Sequence, residues 1–256
     1  MSEWNSEQYL KFKSQRTQPA VDLAKRIKAE QPKSILDIGC GPGNSTVVLK
    51  ERFPRSDILG VDSSENMIEK AKASYPDLDF RICDVTKELD SLGSYDVIFS
   101  NACLQWIPDH RAFIPDVFGK LNKNGVLAVQ MPMNVEEPLF KLISSITSEP
   151  RWGFSAMNIE KNETLLPEEY FDILSSCTES FDIWETVYYH RMPSIGAMVE
   201  WTKGTRLRPY INALDKLGAE LLEKEISERA AEIYGKQKNG EIIFKFRRFF
   251  FTAEKH

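Results

Sequence analysis

Five short apolar runs, mostly separated by helical segments, occupy residues 34–132 and constrain the fold more than any other feature. Each run has the length of a buried strand: SILDIG, DILGVD, LDFRICD, YDVIFSN and VLAVQM. Segments between them, such as NSTVVLKERF and SENMIEKAKASY, have helical periodicity. Strands linked by helices form parallel sheets through right-handed crossovers. The pattern therefore predicts an α/β fold with helices on both faces of the sheet.

The chain after residue 132 is less regular and returns to strand at its end. FDIWETVYYHRM and EIIFKFRRFFFTAEK have the aromatic and β-branched content of strands. Helices predicted between them form a helical cap insertion at residues 194–240. Residues 1–30 are predicted as an N-terminal helical lid in which Pro19 opens a second helix. Because there is no internal repeat or low-complexity linker, residues 1–256 are predicted to form a single domain.

Composition and charge argue against several functions. The 256 residues carry a formal net charge of −5, whereas duplex-binding proteins carry a basic face. No apolar stretch has the length of a membrane span, and the polar N-terminus lacks the h-region of a signal peptide. Cys40, Cys83, Cys103 and Cys177 lack C-x-x-C spacing, which predicts free thiols and no metal site. We expect a cytoplasmic protein with no nucleic-acid or membrane partner.

Three glycines at residues 39–43 follow the first strand with the spacing G-x-G-x-G. The dinucleotide fingerprint is G-x-G-x-x-G, and the Walker loop ends in Lys followed by Ser or Thr, whereas Asn44 and Ser45 follow here. Asp37 precedes the loop, where a carboxylate suits a cationic ligand group and repels a pyrophosphate. The next helix, predicted to be capped by Asn44 or Ser45, offers free N–H groups to an anion such as a carboxylate.

S-adenosylmethionine combines an ammonium, a carboxylate and a reactive methyl sulfonium, and so suits this loop. Short polar side chains also end the following strands, at Asp62, Asp84 and Asn101, and ligands of open parallel sheets bind at that edge. Asp62 lies where an acid binds ribose hydroxyls. Asp84 is a candidate acceptor for the adenine amine, with Met67 and Val85 beside the ring. Each aspartate taken alone has an alternative role as a helix cap or turn residue, and an NAD-dependent enzyme stays open.

The motifs LDIGCGPGNST, GVDSSENMIEKA, CDV and SNACLQWIPDH resemble those of class I S-adenosylmethionine-dependent methyltransferases. WNSEQYLKF, GVLAVQMP, VYYHRMPS and EWTKGTRLRPY extend the resemblance to the trans-aconitate 2-methyltransferase family. The resemblance implies a Rossmann-like, mostly parallel sheet with an antiparallel last strand, and S-adenosyl-L-methionine as cofactor. It also implies methyl transfer to a carboxylate of trans-aconitate, giving the monomethyl ester.

The predicted cofactor-binding residues combine these motifs with the strand-end pattern. By resemblance, Asp37, Gly39 and Gly41 contact the methionine part of the cofactor, and Asn101 lies near it. The full set is Asp37, Gly39, Cys40, Gly41, Asn44, Asp62, Ser63, Met67, Asp84, Val85 and Asn101.

Methyl transfer to a carboxylate needs no general base, because a carboxylate is already ionised at pH 7. Alignment and desolvation supply most of the rate, so no catalytic acid or base is predicted. Arginine forks and hydroxyl donors suit a tricarboxylate. The candidates for substrate binding are Tyr9, Arg16, Trp106, Tyr188, His190, Trp201 and Arg208. For Arg16, Arg208 and His190, a structural or solvent-exposed role stays an equal alternative.

The chain departs from the expected family pattern in two places. Asn134 and Val135 stand where a more polar start to the segment is expected, and Arg206 stands where a small residue is expected. An added cation at Arg206 would enlarge an anion site or change which acid fits it.

Two other functions stay open: a methyltransferase of another acceptor (a lipid acid, a phenol or an amine), and a non-catalytic cofactor-binding regulator. A phenol or amine would call for a nearby base, and a long lipid for an uninterrupted apolar groove. The expected partner is a small carboxylic acid, and the expected assembly is a monomer or weak homo-oligomer.

Overall fold

The structure is a computed structural model that describes residues 13–157, 159 and 164–256, with the side chains at 13–16 left out. Its strands are β1 (Ser34–Ile38), β2 (Asp57–Asp62), β3 (Asp79–Ile82), β4 (Tyr95–Asn101), β5 (Leu121–Pro132), β6 (Phe181–Met192) and β7 (Ile242–Glu254). They form one sheet in the order β3-β2-β1-β4-β5-β7-β6.

The described ranges contain ten α-helices, of which the first precedes β1 and the others lie between strands. They are α1 (Lys13–Arg26), α2 (Asn44–Arg52), α3 (Glu65–Ser74), α4 (Val85–Glu88), α5 (His110–Gly119), α6 (Pro138–Thr147), α7 (Pro167–Cys177), α8 (Ile195–Lys203), α9 (Arg208–Asn212) and α10 (Lys216–Ile233). Helices α8 to α10 lie between β6 and β7 in the chain, within residues 194–240.

The sheet reverses its winding direction between β1 and β4. Strand β1 pairs in parallel with β2 on one side and with β4 on the other. From β1 the chain first builds outward to β2 and β3, then returns to add β4 and β5 on the other side. Ligands of such sheets bind beyond the carboxyl ends of the strands at this switch point. The glycines of residues 39–43 and Asn101 flank it.

The last strand is antiparallel, as predicted. Val126 of β5 lies opposite Glu254 of β7, and Pro132 lies opposite Arg248. Residues 249–253 of β7 are buried one after another, because both faces of the sheet are covered there. The mostly parallel sheet with an antiparallel β7 is the predicted Rossmann-like class I methyltransferase arrangement.

The chain forms two compact units. The sheet unit comprises described residues 13–132, 164–186 and 248–256, and includes β1 to β5. The helical unit comprises described residues 133–157, 159 and 187–247. Helix α10 packs against α6 and α8 in the helical unit, around a buried core that includes Leu139, Trp201 and Phe244. The predicted lid at residues 1–30 and cap at 194–240 stay predictions.

Two predictions of helix ends are wrong. Pro19 lies inside α1, which continues through it, because the burial of Ala20, Leu23 and Ala24 offsets the lost backbone hydrogen bond. Helix α2 is preceded by Gly43 with φ 90°, not capped by an Asn44 or Ser45 side chain. By contrast, α3 has a side-chain cap, with Ser64 Oγ accepting from Met67 N. Within the described ranges, no helix is both long and apolar enough to cross a bilayer.

Candidate functional site

The glycine loop turns sharply at the carboxyl end of β1. Gly39, Gly41 and Gly43 have φ values of 70°, 54° and 90°, which glycine adopts without the steric cost of a Cβ. The N–H groups of Gly39 and Cys40 donate to the Val61 carbonyl at 2.8 and 3.0 Å. The loop is therefore fixed to the carboxyl end of β2.

Asp37 is a buried carboxylate beneath this loop. Its Oδ2 accepts hydrogen bonds from Ser45 Oγ and Thr46 Oγ1, both at 2.7 Å. Its Oδ1 is buried with no hydrogen-bond partner among the described residues, and so is Asn44 Nδ2. Burial raises the pKa of Asp37 to about 6, although the two hydroxyls favour the ionised form. One acceptor and one donor are thus left for a ligand at the start of α2.

Asp62 ends β2 and binds backbone N–H groups of the segments that follow β1 and β2. Its Oδ2 accepts from Gly41 N at 3.0 Å, and its Oδ1 accepts from Ser64 N at 2.9 Å. Burial raises the pKa of Asp62, and these two N–H groups oppose that shift. Ser63 is exposed between them. Because each carboxylate oxygen carries a second lone pair, Asp62 keeps acceptor capacity for ligand hydroxyls.

Asp84 serves as the N-cap of α4. Its carboxylate accepts from Thr86 N at 3.1 Å and binds Lys87 Nζ at 2.6 Å. Burial alone would raise the pKa of Asp84, but the bonds from Lys87 and Thr86 outweigh it and lower the pKa. The capping alternative is therefore realised, without excluding an adenine contact. Met67 and Val85 are both buried.

Three buried carboxamides lie in β4, in the 3-10 helix Leu104–Trp106 that follows it, and in β5. Asn101 Oδ1, Gln105 Oε1 and both polar atoms of the Gln130 side chain find no hydrogen-bond partner in the described part of the chain. Gln105 Nε2 donates to the Ala102 carbonyl at 2.7 Å. Ala102 has φ 57°, a strained conformation for a residue with a Cβ. Strain and unsatisfied polar groups concentrate at functional sites.

Four of the predicted substrate-binding residues lie in the helical unit. Tyr188 and His190 share one face of β6, with ring centroids 6.3 Å apart, whereas Tyr189 is 61% exposed on the other face. The His190 ring lies 4.7 Å from that of Trp201. Trp201 is 1% exposed and belongs to the unit's apolar core. Arg208 is buried at the start of α9.

The two departures from the expected family pattern also lie in the helical unit. Arg206 Nη2 donates to Ser144 Oγ on α6 at 2.8 Å. Asn134 is buried and its Oδ1 accepts from Arg247 N at 2.6 Å, whereas Val135 is exposed.

The other three predicted substrate residues are Trp106, Tyr9 and Arg16. Trp106 is half-buried, at the end of the short 3-10 helix Leu104–Trp106 of the sheet unit. Tyr9 and the Arg16 side chain lie outside the described residues.

Comparisons with known proteins match this chain along its whole length. A family profile described as a methyltransferase domain matches residues 29–172. A trans-aconitate 2-methyltransferase of Escherichia coli K12 is 39% identical over 255 residues, covering 100% of this chain and 99% of the relative. Another from Variovorax paradoxus is 36% identical over 260 residues, with the same coverage. This chain belongs to the trans-aconitate 2-methyltransferase family.

This family is a branch of the class I S-adenosylmethionine-dependent methyltransferases, and solved structures share its fold. The YcgJ protein of Bacillus subtilis matches 93% of the chain with a TM-score of 0.58 at 15% identity. A phosphoethanolamine N-methyltransferase of Haemonchus contortus, solved with S-adenosyl-L-methionine, matches 93% of the chain and 53% of its own length. Its TM-score is 0.54 at 17% identity. At such identities the likeness supports the fold of this methyltransferase.

Sequence reasoning missed Gln105 and Gln130 of the methyltransferase. Both are buried, yet neither falls at the predicted end of a strand, where the other polar site candidates lie. A usable signal existed for Gln130, since it is the one polar residue in the apolar run VLAVQM. A buried amide in such a run needs a partner.

Proposed function

We propose that this methyltransferase transfers the methyl group of S-adenosylmethionine to a carboxylate of trans-aconitate, or of a close small polycarboxylate. The observation that carries the proposal is the 36–39% identity, over essentially both whole chains, to relatives with that activity in their names. It covers the helical unit as well as the glycine loop, and so extends beyond the motifs that specify the cofactor.

The buried polar atoms of the sheet unit fit the cofactor's two charged amino-acid groups. We assign the ammonium to Asp37 Oδ1 and Asn101 Oδ1, which are acceptors, and the carboxylate to Asn44 Nδ2, which is a donor. The backbone of Gly39, Cys40 and Gly41 lies along the same turn.

The remaining cofactor contacts follow the next two strands. We assign the ribose hydroxyls to Asp62, with Ser63 beside it, because the second strand of such sheets ends there. The adenine is assigned to Asp84, between the apolar side chains of Met67 and Val85.

The proposed chemistry asks the protein for alignment and not for proton transfer. When bound, the cofactor supplies an electrophilic methyl group on a positively charged sulfur. A substrate carboxylate is ionised at neutral pH, so no side chain has to remove a proton. The residues bind, orient and exclude water, which lowers the barrier by reducing solvent reorganisation.

We expect Asp62→Ala to weaken S-adenosylhomocysteine binding by about 1–3 kcal/mol, because the ribose hydroxyls lose a half-buried charged acceptor. Titration calorimetry measures this directly. Asp57 is the matched control, since it lies exposed at the opposite end of the same strand. An equal loss in Asp57→Ala, or no loss in Asp62→Ala, would contradict the assignment.

We expect Arg208→Ala to raise the KM for the acid by about 10-fold or more, because a charged hydrogen bond to a carboxylate is lost. The affinity for S-adenosylhomocysteine should stay within two-fold. Arg191 is the matched control: it is an exposed arginine of the same unit, paired with Glu241, and its alanine variant should leave KM unchanged. If Arg208→Ala weakens the binding of the acid and of S-adenosylhomocysteine equally, the residue is structural.

The function itself is tested with labelled S-adenosylmethionine and a panel of acids: trans-aconitate, cis-aconitate, isocitrate, citrate and a fatty acid. A base-labile ester on trans-aconitate supports the proposal. Label found only on the fatty acid, or only on an added amine or phenol, replaces it with another acceptor class. Cofactor binding without transfer to any acceptor would identify a non-catalytic regulator.

A further inference from the structure

Gln130 is the most deeply buried of the three carboxamides, at 0% exposure. Neither its Oε1 nor its Nε2 has a hydrogen-bond partner within the ranges that the structure describes. Desolvating an amide without partners costs free energy, whereas a methionine or leucine would fill similar space without that cost. A glutamine here therefore indicates a ligand with polar groups.

The sheet register puts Gln130 beside the proposed cofactor site. In β4 and β5, Phe99 lies opposite Ala128 and Asn101 lies opposite Gln130. Asp37 of β1 lies opposite Phe99. Because side chains alternate between the faces of a strand, Gln130 is on the same face as Asp37 and level with Asn101.

The order of strands at this edge separates the two ligands. Four positions line the carboxyl edge in the order of the strands. They are Asp62 at the end of β2, the glycine loop after β1, Asn101 at the end of β4 and Gln130 in β5. A cofactor extending from Asp62 to Asn101 occupies the first three positions. The group that meets the amide N–H of Gln130 therefore belongs to the methyl acceptor.

We propose that Gln130 is a substrate-positioning residue whose Nε2–H donates to the reacting carboxylate, while its Oε1 accepts from the cofactor's ammonium. This inference rests on the proposed carboxyl methyltransferase function and adds a contact for the reacting group.

A neutral donor suits the reacting carboxylate better than an arginine. One carboxylate oxygen forms the new C–O bond to the methyl group, and the electron pair of the broken C–S bond stays on sulfur. No proton moves. A guanidinium would withdraw electron density from that nucleophile, whereas an amide N–H holds the other oxygen and leaves most of the negative charge in place.

Two isosteric substitutions test the proposal, with KM for trans-aconitate, the Kd of S-adenosylhomocysteine and Tm as readouts. Gln130→Glu keeps the acceptor but replaces the donor with a like charge, so KM should rise at least about 30-fold while the cofactor Kd is unchanged or lower. Gln130→Met should raise KM about 10-fold and should raise the Kd of S-adenosylhomocysteine by a smaller factor, because the ammonium loses one of its acceptors. It should also raise the Tm of the ligand-free protein, because it removes unsatisfied buried polar atoms.

Gln105→Met provides the contrast in stability. Gln105 is also a buried glutamine, but its Nε2 already binds Ala102 O, so its substitution should lower Tm. Opposite signs of the Tm change at Gln105 and Gln130 therefore support the proposal. If Gln130→Met lowers Tm and weakens the binding of acid and cofactor equally, Gln130 is a structural residue and the proposal is overturned.

Failure of this inference differs from failure of the proposed function. A wild-type protein that esterifies trans-aconitate, with KM in both Gln130 variants within two-fold of wild type, overturns the role of Gln130 alone. A wild-type protein that forms no ester with any acid of the panel overturns the proposed function and this inference with it.

Discussion

Gly39→Ala is expected to abolish measurable cofactor binding and to lower the free energy of unfolding by at least about 3 kcal/mol. A Cβ at Gly39 would lie 2.3 Å from both Cβ and Sγ of Cys103, and Gly39 has φ +70°. The first contact involves an atom fixed to the backbone, so a change of rotamer at Cys103 cannot relieve it. The loop or the end of β4 must then move, and both carry proposed cofactor contacts.

Gly41→Ala is the matched control, because it imposes the backbone strain without the collision. Gly41 has φ +54°, and no described atom lies within 4 Å of a Cβ placed there. We expect a loss of only about 1 kcal/mol, since a left-handed conformation costs 1–2 kcal/mol and a stiffer unfolded chain returns part of it. Urea unfolding of both variants measures the difference.

The collision can also be removed from the other side. Cys103→Gly deletes the Cβ and Sγ that a residue at 39 would meet, and leaves Cys103 Cα at 3.6 Å. In the double variant we expect the loss from Gly39→Ala to shrink toward that of Gly41→Ala. If the double variant is merely the sum of the two single ones, the steric explanation is wrong.

The sequence predicted which candidate site residues lie at or near strand ends, because apolar runs have boundaries that can be read directly. Asp37, Asp62 and Asn101 therefore fall where the parallel sheet requires them. Gln130 was missed because β5 continues beyond it to Pro132. It therefore lies inside an apolar run, and the sequence alone does not show that it pairs with Asn101. This pairing depends on the register between β4 and β5, and the sequence of either strand alone does not determine that register.

Side-chain partners were the least predictable feature. Serine is a common helix cap, but in the structure the Ser45 hydroxyl donates to Asp37. Trp201 was predicted to bind substrate because it is aromatic, yet it lies in the core of the helical unit. An aromatic residue on an apolar helix face suits either environment, and only packing against other helices decides between them.

The affinity for S-adenosylhomocysteine is expected to fall about tenfold for each pH unit below about 6, because Asp37 must be ionised to meet the ammonium. Burial raises the pKa of Asp37 to about 6 in the ligand-free protein, and an α-ammonium stays protonated throughout this range. Each tenfold excess of the protonated form then costs about 1.4 kcal/mol of binding free energy. Titration calorimetry between pH 5 and 7.5 measures the slope.

The stability of the ligand-free protein should change in the opposite direction. Between the ordinary value of 3.8 and about 6, folded Asp37 holds a proton that the unfolded chain has released. The contribution of Asp37 to the unfolding free energy therefore falls as pH rises from about 4 to about 6, by at most about 3 kcal/mol. Lowering the pH through this window neutralises the buried carboxylate of Asp37, which stabilises the ligand-free protein and weakens the binding of the cofactor.

Asp37→Asn separates this carboxylate from every other titrating group. Asparagine accepts the Ser45 and Thr46 hydroxyls but stays neutral, so at pH 7.5 its affinity should be about 10- to 100-fold below wild type. Below pH 6 the two proteins should converge in affinity, and the wild type should gain stability relative to the variant. If the pH slope of binding survives in Asp37→Asn, a different group titrates and the ammonium is not bound by Asp37. If the slope disappears and the stability of the wild type relative to the variant keeps falling with rising pH up to pH 7, Asp37 is still neutral at pH 7 in the ligand-free protein, and cofactor binding releases its proton.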